Sequence, residues 1–150
     1  MANTQAICTS FKVEILNGHH AFGTAVTRGA TTKDDFKAAL YLATATVNAS
    51  TTVYSTTNEV NGAGYSPGGV AVTNATAPTS SGTTAYWTPS ASLTYPTVTI
   101  GPTDCVLIYN STQSNKAVAA YTFSSQTLTA GMLSLTMPPN DSSNALLRIA

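Results

Sequence analysis

The chain has 150 residues, of which 8% are Asp, Glu, Lys or Arg, and its formal net charge is zero. An ordinary soluble domain has about 25% charged residues. The neutral balance excludes a protein that binds nucleic acid through a basic surface, and copies of the chain do not repel one another. Two interpretations fit: a domain kept soluble by Ser, Thr and Asn side chains, or a chain that packs against copies of itself or other proteins. We favour the second.

The length fits one domain over residues 1–150, with 1–20 as a contact arm or edge segment. Such a chain should fold without a metal or a disulfide, and we expect no cofactor. Cys8 and Cys105 are far apart and belong to no ligand pair, which favours two buried hydrophobic side chains over a disulfide. Residues 1–6 do not begin a secretion signal, and no apolar stretch of about 18 residues follows. The sequence predicts cytoplasmic synthesis without a membrane span.

The segment 10–18 is ambiguous. Phe11, Val13 and Ile15 alternate with polar residues as in a strand, but Phe11, Ile15 and Leu16 also suit one helical face. We expect a strand or short helix at the edge of the domain.

Segment 35–47 is the clearest strand in the sequence. Phe36, Ala38, Leu40 and Leu42 share one parity, which places one face on a core. Its Ala and Lys content leaves a helix as the alternative.

Short β-rich runs bounded by Gly, Pro, Asn or Ser follow along the chain. They are 51–54, 69–72, 83–87, 97–100, 106–109, 117–123, 133–137 and 145–149. The continuous apolar run 105–109 and the polar segment 110–115 predict a hairpin with the next strand. The pattern predicts an all-β fold, a single β-sandwich of jelly-roll or immunoglobulin-like topology with eight or nine short antiparallel strands and little helix.

Residues that could carry chemistry are few. His19 and His20 are adjacent and have no Cys or carboxylate at metal-ligand spacing, which is typical of a surface turn. Asp34 and Asp35 are also adjacent, and neighbours on a strand do not give the convergent carboxylates that a general acid/base pair needs. We expect them to begin the strand that follows. No H-E-x-x-H motif occurs, and the G-x-S-x-G spacing at 64–68 lacks the following helix of a nucleophile elbow, since the strand-like residues 70–72 come next. The sequence therefore predicts a protein that is not an enzyme and has no catalytic, cofactor or metal site.

The most distinctive local sequence is 59–69, in which several glycines and Pro67 predict a shaped loop between two strands. It lacks the Lys and the following helix of a phosphate-binding loop. We expect it to present Tyr65 to a partner, because tyrosine buries much area at small entropic cost. The candidate interface residues are Phe11, Glu59, Tyr65, Pro67 and Tyr86.

Several segments together resemble small virion structural proteins of tailed bacteriophages. They are FKAALY at 36–41, TTVY at 51–54, EVNGAGY at 59–65 with Gly68 and Gly69, AYW at 85–87, LIYN at 107–110 and NKAV at 115–118. The resemblance implies a particle component that is assembled in the bacterial cytoplasm and resides in the virion.

Two functions fit the resemblance. In the first, the chain is a capsid decoration (cement) protein, a homo-oligomer that binds the major capsid protein or other virion proteins and stabilises the head, without contacting nucleic acid or a membrane. The alternative is a neck, tail or fibre-associated module in which Tyr65, Tyr86, Trp87 and Tyr95 stack on receptor sugars. The alternating apolar residues around Trp87 favour a core position for that side chain.

Overall fold

The structure, a computed structural model, describes residues 3–8, 11, 15, 19–22, 24, 33–73, 75–82 and 84–149. Every named element in these ranges is a β-strand. The strands are β1 (Ala6–Ile7), β2 (Phe36–Leu42), β3 (Val70–Ala71), β4 (Thr79–Ser81), β5 (Thr84–Trp87), β6 (Leu93–Asn110), β7 (Lys116–Leu135) and β8 (Leu147–Ile149).

The strands form two antiparallel sheets. The larger has the order β1-β7-β6-β2-β3 and the smaller the order β4-β5-β8. The predicted all-β, sandwich-like fold is confirmed, and so is the hairpin, in which β6 and β7 are joined by the turn 111–115. Ser114 and Asn115 have positive φ angles of 52° and 59° in this turn.

The expectation that all strands are short is wrong for β6 and β7, which have 18 and 20 residues. The predicted runs 97–100 and 106–109 are parts of β6, and 117–123 and the start of 133–137 are parts of β7. The register shifts at five places along the pair. These β-bulges absorb the turn-like residues, including Gly101 and Pro102, without ending the strands.

Of the two predicted strands 35–47 and 51–54, the structure contains only the first. Segment 35–47 contains β2 and is a strand, but Ala39 and Tyr41 are buried as well as Ala38 and Leu40, so both faces are covered rather than one. Segment 51–54 is not a strand, since Val53 makes only an isolated bridge to Lys116.

One buried cluster joins the sheets. It contains Leu107 of β6, Val118 of β7, and Trp87 and Leu147 of the smaller sheet. Trp87 is 2% exposed and occupies the predicted core position, while Cys8 and Cys105 are buried and do not form a disulfide.

The amino-terminal segment lies only partly within the described residues. Ala6 and Ile7 pair with Ala120 and Ala119 of β7, so this part of the expected contact arm belongs to the sheet. In the ambiguous segment 10–18 the two described residues, Phe11 and Ile15, have helical backbone, and the rest lies outside the described residues.

Candidate functional site

Glu59 is a buried carboxylate that accepts three hydrogen bonds. The hydroxyl of Tyr54 donates to Oε2 at 2.6 Å, and the hydroxyl of Tyr65 and the amide of Gly68 each donate to Oε1 at 2.7 Å. Tyr65 in turn accepts a hydrogen bond from the amide of Leu40 in β2 at 3.0 Å. The carboxylate thus fixes both ends of the loop 59–69 to the strand beside it.

Two more tyrosines attach the same loop to the sheet. The hydroxyl of Tyr109 donates to the carbonyl of Gly68 at 2.9 Å, and the ring of Tyr109 stacks on Tyr54 with centroids 4.5 Å apart. The ring of Tyr65 stacks on Tyr95 at 6.0 Å. Burial, and then the hydrogen bond to Glu59, raises the pKa of both Tyr54 and Tyr65, so these phenols stay protonated and act as donors. We regard this network as structural.

Close backbone contacts explain the glycines of the loop. A Cβ atom on Gly62 would lie 1.9 Å from the carbonyl oxygen of Thr99, and one on Gly69 would lie 1.7 Å from that of Ala38. Gly69 also has a φ of 71°, which favours glycine. The loop is shaped as predicted, and the glycines let it lie directly against β2 and β6.

The five candidate interface residues occupy different environments. Phe11, Glu59 and Tyr65 are buried, Tyr86 is half-buried, and Pro67 is exposed. The expectation that the loop displays Tyr65 is wrong for the isolated chain, because the ring and hydroxyl point into the Glu59 network. Contact of Pro67 or Tyr86 with a partner stays a prediction.

His20 and Asp34 lie closer together than the sequence indicated. The side-chain amide of Asn110 donates to Asp34 Oδ2 at 2.9 Å and lies 3.0 Å from His20 Nδ1. Asp34, which is 1% exposed, also accepts from the amide of Ala21 and the side chain of Gln113.

The ring of His20 packs among aromatic side chains, unlike a side chain in a surface turn. Its ring lies 4.8 Å from that of Phe11 and 6.4 Å from that of Phe36, so the surface-turn prediction is wrong for this residue. The sequence pattern missed the arrangement because Asn110 joins segments far apart in the chain. Asp35, by contrast, is exposed and forms an ion pair with Lys33 at 2.8 Å.

An apolar pocket of about 530 Å³ lies between this aromatic cluster and the smaller sheet. Its walls include Phe11, Phe22, Tyr86, Trp87 and Leu147, and His20 and Arg148 supply polar groups. This is where the structure brings together Phe11 and Tyr86, two of the candidate interface residues. The pocket offers apolar contact area, and the described part of its walls does not carry a pair of carboxylates or a nucleophile next to a base.

The outer part of the β6–β7 hairpin presents a different kind of surface. Residues 93–100 of β6 and 121–135 of β7 contain no Asp, Glu, Lys or Arg. Most of their exposed side chains carry a hydroxyl group, and the exposed apolar side chains include Met132, which is 65% exposed. The exposed serines and threonines are Thr94, Thr97, Thr99, Thr122, Ser124, Ser125, Thr127, Thr129 and Ser134. We call these two stretches the outer ribbon.

Burial of Asp34 and Glu59 removes two of the few charged side chains from a surface of 7484 Å². Within the described ranges no group of three or more His, Cys, Asp or Glu side chains is placed to hold a metal ion. No helix among the described residues is long and apolar enough to cross a bilayer. The described surface is therefore distinguished by uncharged polar strands rather than by a reactive cluster.

Comparison with protein-family models, with curated proteins and with solved structures found no match to this chain. The function of the chain is therefore inferred from the surfaces described above.

Proposed function

We propose that the chain is a non-catalytic structural protein of a tailed-bacteriophage virion that binds the outside of the assembled head as a decoration protein. Its partners are the major capsid protein or other virion proteins, together with further copies of itself. The observation that carries this proposal is the exposed and charge-free outer ribbon.

An uncharged contact surface suits permanent assembly. Exposed ion pairs contribute about 0–1 kcal/mol and are screened by salt, whereas buried apolar area contributes roughly 25 cal/mol per Å² before the costs of association. The ribbon offers Met132, threonine methyl groups and hydroxyl groups for such contacts. Binding through this surface is expected to persist at high ionic strength.

The buried side of the ribbon supports the same function. Tyr65 stacks on Tyr95, and the carbonyl of Ala63 accepts a hydrogen bond from the amide of Thr99, so the loop 59–69 holds this part of β6 in place. Strands held in place in this way lose little conformational entropy when a partner binds. The ribbon is thus a pre-organised contact surface.

The proposal is tested on particles that contain this chain. A protein that binds only the assembled shell stabilises it by mass action. Particles depleted of the chain should rupture at lower temperature or under milder osmotic shock than complete particles. Adding back the purified chain should restore their resistance, even in about 1 M salt, where the Debye length is about 3 Å.

Copy number and adsorption separate the decoration function from the alternative tail module. A quantitative gel of complete particles should show hundreds of copies. Depleted particles that are equally robust but fail to adsorb to host cells would overturn the decoration function in favour of the tail module. Of the four aromatic residues considered for sugar stacking, Tyr65, Trp87 and Tyr95 are buried, and only Tyr86 retains substantial exposure.

A further inference from the structure

Two residues of the outer ribbon that are not glycine have left-handed backbone. Thr97 in β6 has a φ of 51°, and Ala130 in β7 has a φ of 49°. This conformation has a steric cost for any residue with a Cβ atom, whereas glycine adopts it freely. Both side chains are exposed, so their own burial does not offset that cost.

Thr97 lies in a β-bulge of β6. Between the pair of Tyr95 with Leu133 and the pair of Val98 with Gly131, β6 contains two residues and β7 contains one. Tyr95 and Val98 are both buried although they are three residues apart. Residues an odd number apart face opposite sides of a regular strand, so the extra residue is what places both on the buried side.

Ala130 lies in the next bulge, where the extra residue belongs to β7. Here β7 contains the two residues 129 and 130, and β6 contains only Thr99. The hydroxyl of Thr99 accepts a hydrogen bond from the amide of Ala130 at 2.9 Å, so this amide has a partner within the bulge. Leu133 belongs to the buried cluster and Leu128 packs against it, although the two are five residues apart.

We infer that Thr97 and Ala130 are inserted residues, held in a strained conformation, that bring oddly spaced apolar side chains to one face of the ribbon. The ribbon part of β6 buries four apolar side chains, which are Leu93, Tyr95, Val98 and Ile100. A strand running straight from 93 to 100 would turn two of them toward solvent. Burial of two such side chains outweighs the steric cost of one left-handed residue. The two bulges have this role whether or not the ribbon binds a partner.

Glycine substitutions test for the strain by the sign of their effect. Thr97→Gly and Ala130→Gly remove the steric cost and should each raise the folding equilibrium constant about threefold or more. Thr94→Gly is the matched control, because Thr94 is an exposed threonine at a regularly paired position of β6. Glycine is unfavourable within a regular strand, so this control should lower the constant about twofold or more. Urea denaturation of the full chain measures all three changes.

Deletion of single residues tests the role of spacing. Without Ala130, Leu128 and Leu133 are four residues apart and share a face of a regular strand, so the chain should stay folded with a β-rich circular dichroism spectrum. Without Thr94, the two buried residues that flank it become adjacent and cannot share a face, so the folding equilibrium constant should fall about tenfold or more.

Two results would overturn the inference. If glycine at 97 and 130 lowers stability as it does at 94, the backbone at these positions is not strained. If deletion of Ala130 destabilises the chain as much as deletion of Thr94, residue 130 is not an insertion that sets the face of β7.

Discussion

The two ends of the β6–β7 hairpin have different surroundings although the same strands form both. Near the turn, residues 105–110 of β6 and 117–120 of β7 are all buried. At the other end, Leu93, Tyr95, Val98 and Ile100 are buried, while most of the residues between them are exposed. The turn end lies inside the five-stranded sheet, whereas in the outer ribbon β6 has one covered face and one open face and β7 has only Leu133 buried.

The difference indicates a division of labour along one hairpin. The turn end supplies apolar burial, which stabilises the domain, and the outer ribbon supplies a surface that the domain holds in place. Glu59 and its tyrosines connect the two ends, since Tyr109 belongs to the turn end and Tyr65 packs on Tyr95 of the ribbon.

The largest expected contrast is between apolar truncations at the two ends. Leu107→Ala removes a side chain that is 0% exposed and should lower the free energy of unfolding by about 2–5 kcal/mol. Met132→Ala, at a side chain 65% exposed, should change it by less than about 0.5 kcal/mol. Urea denaturation of dilute protein measures both, and equal losses would contradict the division.

Removing the charge of Glu59 should have an intermediate effect. Glu59→Gln keeps the shape but turns an NH₂ group toward a hydrogen-bond donor, Tyr54 or the pair Tyr65 and Gly68, at a cost of about 1–3 kcal/mol. Asp35→Asn, which removes only an exposed ion pair with Lys33, is the matched control and should cost less than about 1 kcal/mol. If urea denaturation shows the same free energy of unfolding for Glu59→Gln and Asp35→Asn, the network does not hold the loop.

Alkaline pH should destabilise the fold gradually. Burial, opposed in part by a hydrogen bond to Ser55, raises the pKa of Tyr41 to about 12, and burial followed by the charge of Glu59 raises the pKa of Tyr109 to about 12. Free tyrosine titrates near 10, so folding favours the protonated phenols. Their contribution is complete below about pH 10 and is lost as the pH rises to about 12.

Urea denaturation at several pH values measures this loss. The free energy of unfolding should fall between about pH 10 and pH 12, and the fall should be shallower in Tyr41→Phe and Tyr109→Phe. An equal pH dependence in both variants and the wild type would show that these two phenols do not contribute.

The sequence predicts the turn end better than the outer ribbon. The continuous apolar run 105–109 identifies a buried strand and its hairpin, because a strand that is buried on both faces consists of consecutive apolar residues. The sequence divides β6 and β7 into separate predicted runs because Gly101 and Pro102 in β6, and Ser124 and Ser125 in β7, resemble turn signals. Bulged pairing with the neighbouring strand keeps these residues extended, and such pairing is a long-range property.

The candidate site shows the same limit. The glycines of 59–69 correctly indicate a shaped loop, but the direction of Tyr65 depends on Glu59 and on Leu40, which lies 25 residues earlier in the chain. A tyrosine between glycines is compatible with either a displayed or a buried ring. The loop sequence alone therefore does not distinguish a contact surface from part of the core.

Amide hydrogen exchange of the full chain tests most directly the claim that the outer ribbon is an association surface. In dilute solution the amides of 105–110 and 117–120 should exchange slowly, and the outward-facing amides of 121–135 should exchange fast. Raising the protein concentration should slow exchange in 121–135 alone, both at low salt and in about 1 M salt. Fast exchange in 121–135 at every concentration, or slowing confined to another surface, would contradict the account.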